Sequence, residues 1–398
     1  MSRHGRVLVA MSGGVDSSVA AVLLHEQGWD VVGVTMKTWD YETSLGAGPG
    51  GPAAAMPRVQ SGCCSLDDLN DARAVAVRLG VPHLVVDLRD EFGDAVTRRF
   101  ADDYLRGRTP NPCVLCNTHV KWGSLARRAD ALGCEAIATG HYARIERAGD
   151  RHAVRRGRDR AKDQSYVLWG VSQVHLGRTL LPLGDLTKSE IRTMAAEMGL
   201  DGVAAKPDSY EICFVPDDDY RGYLRRRVPG LEARVAGGPM RLEGTGEVVA
   251  RHAGYPFYTV GQRRGLGLAL GHPAYVTRIE PGTNTVWVGG AEWLEGRRVV
   301  ADEVVWGAVG ALAGETPVTA QVRAHDPGAP ALARTLPGGT VEAVFESPRV
   351  APAPGQALVL YDADERVLAG GWIAAAETRA DGTGDRPDDA FVSLPVLA

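Results

Sequence analysis

A glycine-rich turn between a short apolar run and a helical segment constrains the fold of this chain more than any other feature. We predict a strand at residues 7–11, a helix at 17–27 that ends at Gly28, and between them the turn SGGVDSS at 12–18. Its two glycines allow positive φ, so successive N–H groups can face one concavity in front of the helix N-terminus. This context favours a phosphate site over an ordinary turn capped by Asp16 or a serine.

The same alternation of strands and helices continues through the first half of the chain. Predicted strands at 31–36, 83–88 and 136–139 alternate with predicted helices at 65–79, 91–106 and 121–132. A capping box formed by Thr187 and Glu190 opens a further helix that ends at Gly199. This pattern predicts an α/β domain with a parallel sheet over residues 1–205.

The second half of the chain differs in its sequence pattern, with short predicted strands and frequent Gly and Pro. Strands predicted at 256–260, 274–279 and 285–288 indicate an antiparallel, β-rich central domain over residues 206–295. A further β-rich domain is predicted at 296–376, followed by a flexible tail at 377–398. Residues 44–60 are rich in Gly, Ala and Pro and have no periodicity, so we expect a mobile surface insertion there.

Charge and hydropathy exclude some classes of protein. The net charge of −5 argues against a uniformly basic protein that coats nucleic acid. Residues 144–162 are nevertheless locally basic, and such a run could follow a phosphate backbone or simply be a solvated face. The apolar runs fall short of the roughly 20 residues of a membrane helix. The first residues lack the features of a secretory signal. We therefore expect a cytoplasmic protein with no membrane partner.

Three of the six cysteines stand in positions that suggest chemistry. The run PNPCVLCN at 110–117 contains Cys113 and Cys116, and Cys213 follows in YEICF at 210–214. A Cys-x-x-Cys at a helix start favours thiolates, which attack electrophiles or bind metals. Redox, metal and structural roles stay open from this motif alone, and a zinc site would need a fourth ligand, for which His119 is nearest. Cys134 and the pair at 63–64 are predicted to be structural.

The glycine-rich turn is not of the Walker type, because Gly-x-x-x-x-Gly-Lys-[Ser/Thr] is absent from the sequence. It resembles the PP-loop of the N-type ATP pyrophosphatases. With the cysteine motifs added, the chain resembles the tRNA-specific 2-thiouridylases of that superfamily over residues 6 to about 375. The matching motifs lie, in order, at 11–18, 107–117, 138–142, 162–166, 206–214, 258–267 and 354–356.

The resemblance implies a fold and a reaction. The fold is an N-terminal parallel-sheet PP-loop domain of the adenine nucleotide alpha hydrolase type, a small central domain and a C-terminal β-barrel that contacts tRNA. The wobble uridine O2 attacks the α-phosphorus of ATP, pyrophosphate leaves, and sulfur displaces AMP. By the resemblance, Cys213 carries the sulfur as a persulfide and Cys116 is the nucleophile that releases it, leaving a Cys116–Cys213 disulfide. ATP and Mg²⁺ are the implied cofactors, and tRNA and a sulfur-donor protein of a cysteine desulfurase relay are the implied partners.

The resemblance also assigns binding residues by position. The ATP site would comprise Ala10, Met11, Ser12, Gly13, Gly14, Val15, Asp16, Ser17, Met36 and Gly140. The target base would face Asn111, Pro112 and Cys113. Contacts with tRNA would come from His141, Lys162, Asp163, Gln164, Arg323, Ala324 and Gln356.

Cys113 departs from some family members, which have aspartate there, and this leaves a second mechanism open. Cys113, Cys116 and Cys213 could hold a four-iron cluster whose remaining iron carries the sulfur. Two other functions also compete. Another adenylating enzyme of the superfamily, such as an amidating synthetase or a lysine ligase acting on tRNA, would not need Cys116 and Cys213. A non-catalytic RNA-binding module with structural zinc would release no pyrophosphate.

Overall fold

The computed structural model describes residues 3–39, 66–207, 212–215 and 218–381. Its N-terminal part is built on a parallel sheet of order β3-β2-β1-β4-β7. Its strands are β1 (Arg6–Ala10), β2 (Asp30–Lys37), β3 (His83–Asp87), β4 (Ala136–Ala138) and β7 (Thr179–Leu180). All four neighbouring pairs are parallel. The order reverses at β1, so the carboxyl ends of β1 and β4 border the crevice where such sheets bind ligands.

The helices of this part surround the sheet. They are α1 (Val15–Glu26), α2 (Leu66–Leu79), α3 (Arg89–Phe92), α4 (Arg98–Leu105), α5 (Pro112–Leu115), α6 (Ala126–Ala131), α7 (Gln173–Leu176), α8 (Lys188–Glu197) and α9 (Asp201–Ala204). A π-helical turn joins α3 to α4 at Gly93–Thr97, and another joins α5 to α6 at Cys116–Leu125.

One predicted helix begins earlier than expected. The helix expected at 121–132 starts instead at Pro112, because the Asn111 side chain caps it by accepting a hydrogen bond from the Val114 N–H at 3.4 Å. Pro112 stands in the first turn, where its missing N–H costs nothing. Both Cys113 and Cys116 therefore lie on helical backbone.

Alternate side chains of β1 belong to two different hydrophobic clusters, one on each face of the sheet. Val7 and Val9 belong to the cluster that includes α1 and α8 residues, while Leu8 and Ala10 belong to the opposite one. The second cluster continues into the central part of the chain, since it also contains Tyr255. Because the side chains of β1 alternate between the two faces, the N-terminal sheet packs on helices on one side and on the cluster shared with the central part on the other.

The central part differs from its prediction in three respects. It contains two helices that the prediction missed, α10 (Tyr220–Arg227) and α11 (Leu231–Val235), the first capped by Asp219. Its four-stranded sheet has the order β10 (Tyr275–Glu280), β11 (Thr285–Gly289), β8 (Pro239–Leu242) and β9 (Val248–Arg251). Because β8 and β11 run parallel, the sheet is not purely antiparallel. The strand predicted at 256–260 is wrong: Tyr255–Phe257 is a 3₁₀ turn, and Pro256 offers no N–H for a strand ladder.

Short 3₁₀ turns follow β10 and β11 at Pro281–Thr283 and Ala291–Leu294. The strands predicted at 274–279 and 285–288 correspond to β10 and β11.

The C-terminal part is a closed six-stranded barrel of order β12-β15-β14-β13-β16-β17. Its strands are β12 (Glu295–Trp306), β13 (Thr316–Gln321), β14 (Ala329–Thr335), β15 (Val341–Val350), β16 (Ala357–Tyr361) and β17 (Val367–Thr378). The predicted tail at 377–398 thus begins inside β17, and Arg379–Asp381 adds a 3₁₀ turn. The rest of the tail, the insertion at 44–60 and the cysteine pair at 63–64 lie outside the described residues.

A separate hairpin of β5 (Ala143–Ala148) and β6 (Arg151–Arg156) leads from the N-terminal part to the barrel. Arg151 donates hydrogen bonds to the backbone oxygens of Trp306 and Gly307, both at 2.8 Å. A 3₁₀ turn at Ser165–Leu168 follows this hairpin. Among the residues that the structure describes, no helix is long and apolar enough to cross a membrane.

Candidate active site

The turn after β1 adopts the conformation that its glycines permit. Gly13 has a φ of +76°, and a Cβ at this position would lie 2.0 Å from the Asp68 backbone oxygen. Gly14 is the residue before α1, and no side chain caps the helix there. The alternative, an ordinary turn in which Asp16 or a serine caps α1, is therefore not observed, and the first N–H groups of the helix face the turn without a side-chain acceptor from the cap.

The hydroxyl groups of the turn shape its backbone. Ser17 Oγ accepts a hydrogen bond from the Ser12 N–H at 3.0 Å and donates to the Gly14 carbonyl at 3.2 Å. Ser18 also donates to the Gly14 carbonyl, at 2.9 Å. These bonds close the turn on itself, so the hydroxyls of Ser17 and Ser18 build the concavity that the sequence predicts.

Asp16 is held by two side chains from distant parts of the chain. Both carboxylate oxygens lie 2.8 Å from Lys188 Nζ, and the Tyr142 hydroxyl donates to one of them at 2.6 Å. Lys188 is the first residue of α8 and its side chain is 13% exposed. Our sequence analysis missed Lys188, although a lysine in the first turn of a helix opposes the helix dipole and so indicates an anionic partner.

A second lysine holds the other side of the turn. Lys206 Nζ donates to the Gly13 carbonyl at 3.2 Å and to Asp68 at 2.7 Å, and it also pairs with Asp71. Burial would lower the pKa of Lys206, but the hydrogen bonds to Asp68 and Asp71 outweigh it and raise the pKa. The start of α2 is thereby tied to the turn.

The remaining residues predicted for ATP lie at the same edge of the sheet. Gly140 follows β4, and a Cβ there would come within 2.8 Å of the Asp16 carbonyl carbon and the Ser17 nitrogen. Only glycine allows this close approach of two backbone segments. Met36 lies near the end of β2 and packs on the hydrophobic cluster shared with the central part. The structure thus brings together the residues predicted from β1, β2 and β4.

This site does not present a ready-made cation site. Asp16, the carboxylate of the glycine-rich turn, pairs with Lys188, and no group of three or more His, Cys, Asp or Glu side chains in the described ranges could hold a metal ion. The described residues therefore offer no preformed set of three protein ligands for Mg²⁺. The turn and the helix start behind it do fit the phosphates of a nucleotide.

The cysteines of the two motifs differ in exposure. Cys113 is exposed, whereas Cys116 and Cys213 are half-buried and both pack on the cluster shared with the central part. The ring of Phe214 fixes the residue after Cys213, because it meets Phe92 and Phe100 edge to face with centroids 5.6 and 5.1 Å apart. The predicted Cys116–Cys213 disulfide is not seen among the described residues.

In the part of the chain that the structure describes, Cys113, Cys116 and Cys213 are not grouped as metal ligands, and the same holds for His119. Cys134 is buried, as predicted for a structural thiol, and burial raises its pKa.

The segment just before the residues predicted to face the target base is bound to the barrel. The Gln356 amide donates to the backbone oxygens of Thr109 and Pro110 at 3.1 and 3.2 Å. The Thr109 N–H donates to Pro354 at 2.8 Å. Gln356, predicted to contact tRNA, thus supports the segment that leads directly into Asn111.

His141, also predicted to contact tRNA, is buried. Its Nδ1 lies 2.7 Å from the Thr139 hydroxyl and its Nε2 lies 3.4 Å from Lys121 Nζ. Burial, with a smaller contribution from Lys121, lowers the pKa of His141 well below its ordinary value. A neutral ring that accepts from Lys121 and donates to Thr139 has no ring nitrogen left for RNA in this arrangement.

The basic run at 144–162 is largely compensated by carboxylates. Arg144 pairs with Asp185, Arg155 with Glu146, Arg158 with Glu190 and Arg160 with Glu365. The local positive charge seen in the sequence is therefore much reduced in the folded chain. Of the segment 162–164, Gln164 accepts a hydrogen bond from the Tyr142 N–H at 3.0 Å.

Three family models match the chain in order. They are the tRNA methyl transferase HUP domain at residues 5–217, the tRNA methyl transferase PRC-barrel domain at 232–290 and the aminomethyltransferase beta-barrel domain at 297–373. The predicted succession of a parallel-sheet domain, a small central domain and a C-terminal barrel is confirmed. The predicted boundaries at 205 and 295 stay predictions.

Curated relatives align with nearly the whole chain. A tRNA-specific 2-thiouridylase MnmA of Salinibacter ruber is 58% identical over 375 residues, covering 94% of this chain and 95% of that protein. One of Amoebophilus asiaticus is 54% identical over 376 residues, covering 94% and 96%. A solved 4-thiouridine synthetase–RNA complex with bound ATP is 20% identical over 57% of this chain and 51% of that chain, with a TM-score of 0.33, too low to support a conclusion. At identities above one half across all three domains, the chain belongs to the family of the tRNA-specific 2-thiouridylases.

Proposed function

We propose that this chain uses ATP to replace O2 of the wobble uridine in tRNA with sulfur, forming 2-thiouridine. The observation that carries the proposal is the 58% identity to a 2-thiouridylase over 94% of the chain. Two of the matching domain descriptions mention methyl transfer and the third mentions aminomethyl transfer. The relatives named for thiolation are the stronger guide, because each of them aligns with all three domains.

Adenylation would take place at the turn after β1. The uridine C2 carbonyl has no leaving group, so its oxygen first attacks the α-phosphorus of ATP and becomes an adenylate, and pyrophosphate leaves. The turn backbone at Gly13 and Gly14 and the start of α1 would receive the negative charge of the departing pyrophosphate. Lys188 lies beside this position, 2.8 Å from Asp16, and would supply a mobile cation there.

Sulfur transfer would use the two half-buried cysteines. The terminal sulfur of a persulfide on Cys213 forms a bond to C2 and AMP departs. The Cys116 thiolate then attacks the Cys213 sulfur and breaks the persulfide S–S bond, so the outer sulfur stays on the base. The product is 2-thiouridine and a Cys116–Cys213 disulfide, which an external thiol reduces with two electrons.

The packing supports this pairing in one respect. Cys116 and Cys213 pack on the same hydrophobic cluster, whereas Cys113 is exposed. A disulfide needs a Cα–Cα separation of roughly 5.5–6 Å at that stage of the cycle. The sulfur would reach Cys213 from a donor protein of a cysteine desulfurase relay in the cytoplasm.

The test is a reconstituted reaction with a uridine-34 tRNA transcript, ATP, Mg²⁺, a low-molecular-weight persulfide and a thiol reductant. Nucleoside mass spectrometry measures 2-thiouridine, and pyrophosphate release is followed in parallel. We expect one pyrophosphate for each thiolated base. A protein that releases pyrophosphate with tRNA but incorporates another group, or no sulfur, would contradict the proposal.

Iron and acid-labile sulfide are measured on the same anaerobically purified sample. The persulfide route requires thiolation by iron-free protein. Activity that appears only with about four irons per chain would make Cys113, Cys116 and Cys213 cluster ligands instead.

A further inference from the structure

Arg156 stands where three segments of the chain meet. It is the last residue of β6, and its side chain is only 12% exposed. One guanidinium nitrogen donates to the Gln321 side-chain oxygen at 2.9 Å and to the Pro327 carbonyl at 3.3 Å. The guanidinium carbon lies 4.0 Å from the centre of the Tyr361 ring. Arg156 thus belongs to the N-terminal part by sequence and contacts the barrel through its side chain.

On the N-terminal side, Arg156 faces the segment 162–164. Its other terminal nitrogen lies 4.0 Å from the Asp163 carboxylate, which is 7% exposed. Asp163 in turn accepts hydrogen bonds from the Gly157 and Ser165 N–H groups at 2.8 and 3.2 Å and from the Ser165 hydroxyl at 2.8 Å. Asp163 is therefore turned inward, where it fixes the backbone on both sides of Lys162.

On the barrel side, Gln321 transmits the contact to the segment 323–324. Gln321 is buried, and its amide nitrogen donates to the Arg323 and Ala324 carbonyls at 3.0 and 3.1 Å. Its oxygen is bound by Arg156, so the orientation of the amide is determined. A single arginine thereby links, through Asp163 and Gln321, two segments more than 150 positions apart in sequence.

We propose that Arg156 is a positioning residue that holds the segments 162–164 and 323–324 as one tRNA-binding surface across two domains. The inference rests on the proposed function, tRNA thiolation, and on the expectation from the family resemblance that both segments contact tRNA. Lysine cannot replace it, because only the planar guanidinium can stack on Tyr361 while donating to Gln321 and facing Asp163. Arg156 itself is too buried to serve as one more phosphate contact of the basic run.

The experiment compares Arg156→Met and Arg156→Lys with Arg366→Met. Arg366 is a matched control because it is also a partly buried arginine between hairpin and barrel, but it pairs with Asp362 and Asp364 instead. We expect the Arg156 variants to raise the KM for tRNA about tenfold, with kcat at saturating tRNA and the KM for ATP within twofold of wild type. The Arg366 variant should change the KM for tRNA less than twofold.

The salt dependence of tRNA binding separates positioning from direct contact. A lost phosphate contact lowers the slope of log Kd against log salt by about one, whereas loss of positioning leaves the slope unchanged. We expect an unchanged slope for Arg156→Met. A slope reduced by about one, or an unchanged tRNA affinity, would overturn the inference.

Gln321→Glu keeps the test valid if Arg156→Met does not fold. A glutamate retains the oxygen that accepts from Arg156 but cannot donate to the carbonyls of residues 323 and 324. We expect the same rise in the KM for tRNA, and no further rise when it is combined with Arg156→Lys. Additive effects of the two changes would contradict a shared role. A wild-type chain that neither binds nor thiolates tRNA would overturn the proposed function and this inference with it.

Discussion

Two adjacent glycines of the turn after β1 should respond very differently to alanine. Gly13 has a φ of +76°, and its added Cβ would lie 2.0 Å from the Asp68 backbone oxygen. The left-handed conformation costs an alanine about 1–2 kcal/mol. The overlap forces the start of α2 to shift by more than an ångström, and overpacking of this kind costs about 1–3 kcal/mol. Together, these two costs should lower the free energy of unfolding of Gly13→Ala by roughly 2–5 kcal/mol.

Gly14→Ala is the matched control. Gly14 has a φ of −90°, and the nearest atom to an added Cβ is Ser12 Oγ at 3.6 Å, an ordinary contact. Alanine at this position is a poor helix cap, so the free energy of unfolding should fall by about 1 kcal/mol or less.

Thermal unfolding without nucleotide measures both variants. For a unit of this size 1 kcal/mol shifts Tm by about 2–4 °C, so we expect a fall of roughly 4–20 °C for Gly13→Ala and less than about 4 °C for Gly14→Ala. Equal shifts in the two variants would refute the reasoning, because they would show that α2 can move away from the turn at no cost.

Three further outcomes are expected. Cys213→Ser should abolish thiolation while tRNA-dependent pyrophosphate release continues, and Cys134→Ala should retain both activities; thiolation by Cys213→Ser would contradict the sulfur-carrier role. Lys188→Met should slow pyrophosphate release at least tenfold with tRNA affinity unchanged, because Asp16 loses its cation; wild-type rates would remove Lys188 from the site. Burial lowers the pKa of His141 in the folded chain, so as pH falls the unfolded chain binds a proton on this histidine before the folded chain does. The free energy of unfolding should therefore fall as pH drops below about 6.5, by up to about 1.4 kcal/mol per pH unit. In His141→Gln, Tm between pH 6.5 and 5 should fall less steeply, and an unchanged profile would show that His141 is not buried as a neutral ring.

Features that depend on neighbouring residues were predictable from the sequence. The glycine-rich turn, the capping box at Thr187 and Glu190, and the alternation of strands and helices up to residue 205 all arise from backbone preferences within a few positions. The helix predicted at 121–132 begins earlier, at Pro112, because its start depends on the Asn111 side chain acting as a cap. In the central part, short polar helices such as α10 gave no clear apolar period and were missed.

The contacts of the candidate site depended on residues far apart in sequence. Asp16 could serve as a cap or a metal ligand by its position in the motif, and only the fold brings Lys188 and Tyr142 to its carboxylate. The sequence left open whether the basic run follows a phosphate backbone or is a solvated face, and folding places carboxylates such as Asp185 and Glu365 beside its arginines.

The fold class, the glycine-rich turn and the family could be predicted from the sequence, because these follow from ordered local motifs. Which of the motif residues face inward depends on the folded chain. His141 and Asp163 are buried and satisfied by protein partners, and Arg156 links two domains. A polar side chain that is buried away from water needs hydrogen-bond partners. In this chain those partners lie on other strands and loops, so they come close only when the chain folds.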